Sequence, residues 1–266
     1  MRMTTRFSPV VVILTLALTT ALAAYALAVP PAAQAQIVAD NTQNSSSVTV
    51  RPAPSVDLTT VDSEGNTGIV LMDLQANLSP ATGDLTDGEI AGLLYMREEE
   101  KLARDVYLTL YDNWGVRVFQ NIANSEQTHT DAVKSLLDFY GLEDPAAGNE
   151  AGEFANADLQ TLYDQLTALG AQSLGDALKV GATIEEIDIL DLEQNLANLD
   201  SPNLRTVYEN LLKGSRNHLR AFVSTLDRQT GETYQPQYLS DDAYQAIVEN
   251  SIDSGRNSRG GKGNRP

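Results

Sequence analysis

The 266-residue chain contains no cysteine. That absence excludes disulfides, thiolate catalysis, cysteine-ligated zinc and a lipid anchor carried on cysteine. Basic residues are scarce, 18 Lys and Arg against 36 Asp and Glu, for a formal charge of −18. A surface that acidic repels phosphate, so nucleic acid is excluded as a partner, while solubility and attraction of cations are favoured. Histidine is rarer still, His129 and His218 being the whole complement. No internal repeat of short period is found. One apolar run is long enough to bear on export or membrane insertion.

That run comes first in the chain. Arg2 and Arg6 precede an apolar stretch from Pro9 to Val29, and Ala33-Gln34-Ala35 offers a small-x-small cleavage site. The pattern predicts an export signal over residues 1–35 and a destination in the periplasm, cell envelope or extracellular space. Left uncleaved, the same segment is long enough to anchor the protein in a membrane. Losing its two arginines moves the formal charge from −18 to −20. Residues 36–85, rich in Asn, Ser, Thr, Pro, Asp and Gly, read as a low-complexity linker. Its apolar patch, Ile69-Val70-Leu71-Met72, suits a strand or short helix packed on the folded part. Residues 229–266 read as a C-terminal extension closing in a basic tail, Ser254 to Pro266, without an apolar side chain.

Residues 86–228 are helical in pattern throughout. Thr86 offers an N-cap with Asp87 and Glu89 in the first turn. Leu93, Met96, Glu100, Ala103, Tyr107 and Leu110 then share one face of a helix running to about Trp114. A second helix starts near Val116, presents Phe119, Ile122, Glu126, His129, Val133, Leu136 and Tyr140, and stops at Gly141. A long connection follows, holding a short helix from Asp158 to Leu169. A third helix, about Leu174 to Leu199, carries Ala177, Val180, Ile184, Ile187 and Leu190 as its apolar positions. Ser201-Pro202 caps a fourth, with Leu204, Tyr208, Leu211, Ser215, His218, Phe222 and Leu226 inward. The expected fold is all-α: an antiparallel four-helix bundle with a long crossover between its second and third helices.

The chemistry sits where the apolar stripes are broken. Glu100 interrupts the first stripe, Glu126 and His129 the second as Glu-x-x-His, and His218 the fourth. Residues three apart on a helix point the same way, so all four aim into the bundle. Buried carboxylates are costly unless paired or bound to a cation, so their convergence with two imidazoles points to a metal site. Local partners are also available to Glu100, in Arg104 and Tyr107. The third helix carries Glu185-Glu186-Ile187-Asp188-Ile189-Leu190-Asp191. The phase of its apolar residues centres near Asp188 and Asp191, with Glu185 at the edge and Glu186 pointing away. Glu185 and Asp188, three apart, are the preferred inward pair, and Glu186, Asp191 and Glu193 read as a solvated acidic face.

These segments resemble a known family. Glu100-Lys-Leu-Ala-Arg-Asp-Val-Tyr107 with Ile122-Ala-x-x-Glu126-x-x-His129 is similar to the first half of a rubrerythrin-type, ferritin-like di-iron domain. Glu98 to Asp105, Ile184 to Ile189 and Gly214 to Phe222 resemble the DUF2202 family across residues 86–228. The resemblance implies Glu100, Glu126 and His129 as one half-site, an acid within Glu185 to Asp188, and His218 as the last histidine. Where the di-iron pattern has a glutamate three residues before that histidine, this chain has Ser215. A dinuclear centre then needs Asp188 or Glu185 in its place; otherwise the site holds one ion.

Carboxylates and imidazoles without thiolate suit iron or manganese, and zinc less well. Two ions bridged at about 3.5–4 Å suit oxygen or peroxide chemistry. Tyr107 and Tyr208 lie on the same inner faces, as core residues or as hydrogen-bond partners of the ligands. Three functions fit: a di-iron or di-manganese oxidoreductase, a non-catalytic envelope metal-binding or storage protein, and an interaction bundle with a vestigial site. Metal ions are the expected partners, and a homodimer is among the permitted assemblies.

Overall fold

A computed structural model describes residues 56–61, 67–80 and 83–250. The expected export signal, much of the linker and the basic tail lie outside these residues. The linker patch divides rather than forming one element. Strands β1 (Thr59–Val61) and β2 (Thr67–Ile69) pair antiparallel with Thr60 opposite Gly68, and helix α1 (Leu71–Asn77) begins two residues later. The hairpin docks through polar bonds: the Leu58 amide donates to Asn210 at 2.8 Å, buried, and the Ile69 amide to Thr128 at 2.9 Å, part-buried.

Helix α2 (Asp87–Trp114) starts in a capping box, with Thr86 Oγ1 accepting from the Glu89 amide and Glu89 Oε2 from the Thr86 amide. The other Glu89 oxygen takes the amides of Asp200 and Ser201 at 3.1 and 2.8 Å, tying this helix start to a distant turn. Gly115 at φ 64° ends α2, and α3 (Arg117–Tyr140) ends at Gly141, φ 67°. Both are left-handed conformations that glycine adopts without strain. The crossover from 141 to 173 contains α4 (Ala157–Gly170). Helix α5 (Leu174–Ala197) starts at its Ser173 cap and stops two residues short of Leu199. Helix α6 (Pro202–Thr230) has Ser201 as N-cap and proline in its first turn, and α7 (Asp241–Glu249) closes the described chain. Among the described residues no helix is long and apolar enough to cross a membrane.

Side-chain contacts give the topology. Gly92 of α2 faces Asn195 of α5, while Tyr107 reaches Gly181 and Glu185, so these helices run antiparallel. Tyr140 of α3 meets Ser201 and Asn203, and His218 of α6 meets Ser125. Hence α3 and α6 are also antiparallel, and the four long helices form the expected bundle with its long crossover. The interior is the one read from the stripes, with Leu93, Met96, Leu110, Phe119, Val133, Leu136, Leu204, Leu211, Phe222 and Leu226 fully buried.

Helix α5 departs from the expectation. Every residue from Val180 to Ile189 is buried, because α2, α4, α6 and the segment after α6 surround it. Glu186, expected on a solvated face, is therefore buried as well. Its Oε2 accepts the amides of Gln237, Tyr238 and Leu239 at 2.8, 2.6 and 3.3 Å and binds the C-terminal segment to the bundle. Leu190, expected inward, is only half-buried, while Ile189 and Leu192 are in the core. A helix enclosed on all sides has no polar face from which to read its orientation.

The charged run Arg97-Glu98-Glu99-Glu100-Lys101 is likewise wholly buried. Arg97 holds Asp144 of the crossover through two 3.0 Å bonds. Glu98 accepts the amides of Ala155 and Asn156, and Lys101 donates to Asp105 and to the carbonyls of Glu150 and Glu153. Arg97, Glu98 and Lys101 thus clamp the crossover against α2, while Glu99 and Glu100 face the bundle.

Candidate metal centre

The midpoint of the bundle gathers one carboxylate between two imidazoles. Glu126 Oε2 lies 2.8 Å from His129 Nδ1, and Glu126 Oε1 lies 2.7 Å from His218 Nδ1. Glu100 flanks the first imidazole at 3.4 Å and Glu185 the second at 3.5 Å. The rings stack with centroids 5.3 Å apart. Glu126, His129 and His218 each offer a ligand atom within 4.8 Å of the others. All are 2% exposed or less.

Several polar atoms here are left without a partner, Glu100 Oε1, His129 Nε2 and Asp188 Oδ1, and the two imidazole Nδ1 atoms meet the carboxylates only as ion-pair contacts. Buried polar groups in folded proteins are ordinarily satisfied, and a cluster of orphans in one place marks a missing partner. Electrostatics agree. Glu100, Glu126, Glu185 and Asp188 are four carboxylates facing two imidazoles, so protonating both rings still leaves two negative charges uncompensated in the interior. A bound metal cation would offset that excess.

The ionisation of the metal-free cluster follows from the same imbalance. Burial pushes the Glu100 carboxyl up to about 8, only partly opposed by the His129 charge. Burial also raises Asp188 well above the carboxylate range, reinforced by Glu100 and Glu185. Glu126 is the exception: burial would raise it, but the two histidine charges hold it far below. Burial would lower His218, yet Glu126 and Glu185 bring it up to about 9, and Glu126 and Glu100 likewise raise His129.

Neighbouring residues orient the set. His218 Nε2 lies 2.9 Å from Ser125 Oγ, which donates its proton to the Thr67 carbonyl of β2. The serine oxygen therefore accepts from Nε2–H, so that when the ring is neutral, as a metal ligand must be, its lone pair is on Nδ1 and faces the centre. Tyr107 donates to Glu185 Oε1 at 2.6 Å, not to Glu100 as its position on α2 allowed. Arg104 is also not a partner of Glu100, pairing instead with Asp105 and Gln127. Ser215 Oγ hydrogen-bonds Asp188 Oδ2 and lies 3.0 Å from the Leu211 carbonyl. The small serine thus leaves room for an aspartate from α5 on the side where a glutamate at 215 would project.

Gly214 explains how His129 fits. A Cβ at this position would lie 2.5 Å from His129 Cε1 and 2.6 Å from Nε2. Glycine inside a helix costs about 1 kcal/mol relative to alanine, so its place in α6 serves the imidazole. Gly214→Ala is expected to force His129 off Glu126 and to weaken metal binding at least tenfold, by the measure of residues that orient ligands. A chelator-competition titration with Mn(II) checks this, and unchanged affinity would show that the ring has other room.

Residues 89–251 match the model of the DUF2202 family, described as an uncharacterized protein domain. The chain belongs to the DUF2202 family. It is 51% identical over 173 residues to uncharacterized protein MJ0754 of Methanocaldococcus jannaschii, an alignment spanning 65% of this chain and 93% of that protein. The crystal structure of hypothetical protein MJ0754 from Methanococcus jannaschii superposes with a TM-score of 0.64 at 50% identity, covering 66% of this chain and all of the other. The DUF2202 match encloses every residue of the cluster and runs past 228 through α7, the segment that Glu186 holds in place.

Of the six residues singled out in the sequence, Glu100, Glu126, His129, Glu185 and His218 meet around Glu126, and Asp188 joins them beside Ser215. Sequence reading missed Ser125, Gly214 and the β2 carbonyl. Ser125 adjoins Glu126 and Gly214 adjoins Ser215, but only the α3–α6 contact shows what each does. Asp191, expected on a solvated face, is half-buried, and burial raises its carboxyl above the usual range. Glu193 is exposed and bonds Arg216 at 2.9 Å, as a solvated acid should.

Proposed function

We propose that this protein is a ferritin-like dinuclear metal protein that takes iron or manganese and acts as an oxidoreductase on oxygen or peroxide. The observation that carries the reading is the sharing of Glu126 between two imidazole Nδ1 atoms amid unsatisfied carboxylate oxygens. In this reading Glu100 and His129 would hold one ion and Glu185 and His218 the other, with Glu126 as the ligand between the two imidazoles and Asp188 as the fourth carboxylate. The donor set has oxygen and imidazole nitrogen but no thiolate, which suits iron and manganese. Such a pair supplies one-electron redox chemistry and a place for a diatomic oxygen species.

The residues of the chain have their own parts. Ser125 keeps His218 in the tautomer with Nδ1 free, and Tyr107 fixes Glu185. Tyr107 and Phe222, with rings 5.0 Å apart, exclude water beside Glu185, as does Phe119 against Phe222 at 5.6 Å. The N-terminal segment remains the proposed route of export.

Elemental analysis of the protein purified from its native envelope tests the metal reading. About two equivalents of iron or manganese per chain are expected, falling to one or none in His218→Ala. A protein that carries no metal and takes up neither Fe(II) nor Mn(II) would refute it. Burial of every proposed ligand, 0–6% exposed, favours a second reading in which the ions are retained without turnover. Consumption of oxygen or peroxide by the loaded protein separates the two, since only the oxidoreductase shows it.

A further inference from the structure

Acidic side chains continue outward from the centre along the seam between α2 and α5. Glu99 adjoins Glu100, and Asp191 lies one turn beyond Asp188. The antiparallel register that sets Gly92 against Asn195 and Tyr107 against Glu185 also sets Glu99 against Asp191, and after burial the Asp191 charge is the next cause that raises the Glu99 carboxyl. Glu99 is 5% exposed and its Oε2 makes no hydrogen bond. The nearby cationic side chains are engaged elsewhere: Arg97 on Asp144, Lys101 on Asp105 and the crossover, Arg216 on Glu193. A buried carboxyl facing a half-buried one, with no cationic side chain between them, calls for a cation or a shared proton.

An independent observation favours the cation. Tyr208 of α6 is 1% exposed, and its hydroxyl also lacks a hydrogen-bond partner. It lies within the field of Glu99 and Glu100, which, after burial, keep its hydroxyl protonated far above the usual range. A neutral phenol beside a carboxylate ordinarily donates to it. Here the phenol oxygen and Glu99 Oε2 are both left without a partner in the same region. Asp191, half-buried, is the member nearest solvent.

We propose that Glu99, Asp191 and Tyr208 form an outer site for a hard divalent cation, and that ions pass through it to the buried centre. Two carboxylates and a phenol, with no nitrogen or sulfur, select Mn(II), Fe(II), Mg(II) or Ca(II) over softer metals. Every centre ligand is nearly or fully buried, so an ion needs a route inward. The row Asp191, Glu99, Asp188, Glu100 gives it a carboxylate at each stage. Binding at the outer site stands on its own residues, whereas the entry role rests on the metal reading of the centre.

The test uses the metal-free full chain and Mn(II), counting bound ions by loss of the aqueous Mn(II) electron paramagnetic resonance signal. Wild type is expected to bind about one weaker equivalent beyond the centre, in keeping with a site of few oxygen ligands. The isosteric pair Glu99→Gln with Asp191→Asn should lose that equivalent. It should fill the centre at least tenfold more slowly in stopped flow, the low end of rate gains from electrostatic focusing. Tyr208→Phe, which removes one oxygen and keeps the ring, should weaken the outer ion severalfold and guards against misfolding of the charge variants. Glu126→Ala should strip the centre and leave the Asp191-dependent ion in place. An Asp191-dependent ion with an empty wild-type centre would uphold the outer site and sink the metal reading of the centre. Wild-type counts and loading rate in the paired variant would show that a shared proton joins Glu99 to Asp191, and would overturn the proposal.

Discussion

On the proposed dinuclear reading, Glu126→Ala is expected to empty the centre of both ions, the largest single-residue effect that reading predicts. Among the described residues, no other carboxylate touches both imidazoles, which Glu126 does at 2.8 and 2.7 Å. Without it, His129 keeps Glu100 at 3.4 Å and His218 keeps Glu185 at 3.5 Å, two half-sites with nothing shared. Residues that merely orient a ligand change metal affinity by about 10–100-fold, so loss of the bridging ligand should exceed about 100-fold. Competition against a chromophoric chelator measures it. Glu126→Gln, which keeps the volume and one carbonyl oxygen, should fall between wild type and alanine. Ser125→Ala, acting only through the tautomer of His218, should stay within the smaller range. Retention of two ions by Glu126→Ala would show that the shared ligand lies elsewhere.

The second large effect is the response of the metal-free protein to pH. Glu100 has a folded-state value of about 8 against an ordinary 4.5, because burial disfavours its charge. Folding therefore takes up a proton, and the associated stability is complete below about pH 4.5 and lost as pH rises through 8. His218 moves the same way, from 6.5 up to about 9 under the charges of Glu126 and Glu185. Its contribution is complete below 6.5 and lost as pH rises through 9. His129, Asp188 and Glu99, all raised, act in the same direction. Glu126, held low, contributes stability above 4.5 that is lost only in acid, outside this window.

Each pKa unit is worth about 1.4 kcal/mol. A fall in melting temperature on the order of 10 °C between pH 5.5 and 8.5 is thus expected for the metal-free chain. Metal binding should reverse the trend, because it requires the carboxylates charged and Nδ1 of both rings free of protons. The gap between loaded and metal-free melting temperatures should widen with pH, and calorimetry in buffers of different ionisation enthalpy should detect released protons. A metal-free melting temperature that holds or rises over this range would contradict the assigned burial of charge.

The bundle was largely legible in the sequence because its helix boundaries are local. Thr86 with Glu89, Ser201 with Pro202, and the glycines at 115 and 141 are signals read within a few residues of where they act. The stripes of α2, α3 and α6 were legible for a related reason: each has a solvated side, so an inward Glu100, Glu126, His129 or His218 stands out against apolar neighbours. Helix α5 offers no such contrast. It is enclosed on all sides from Val180 to Ile189, and Glu186 is buried by a segment fifty residues further along the chain. The run Arg97 to Lys101 shows the same limit, since five adjacent charges are divided among the crossover, α5 and the centre.

The sequence by itself therefore determined which side chains point inward on each separately amphipathic helix, and with them the chemistry of the donor set. Helical periodicity sets the direction of a side chain about its own axis, and that information is local. Only the tertiary structure decided that Glu126 lies between both imidazoles, that Asp188 stands beside Ser215, that Gly214 admits His129 and that Glu99 meets Asp191. Those relations depend on the rotation and register of one helix against another, which arise from packing between residues far apart in the chain.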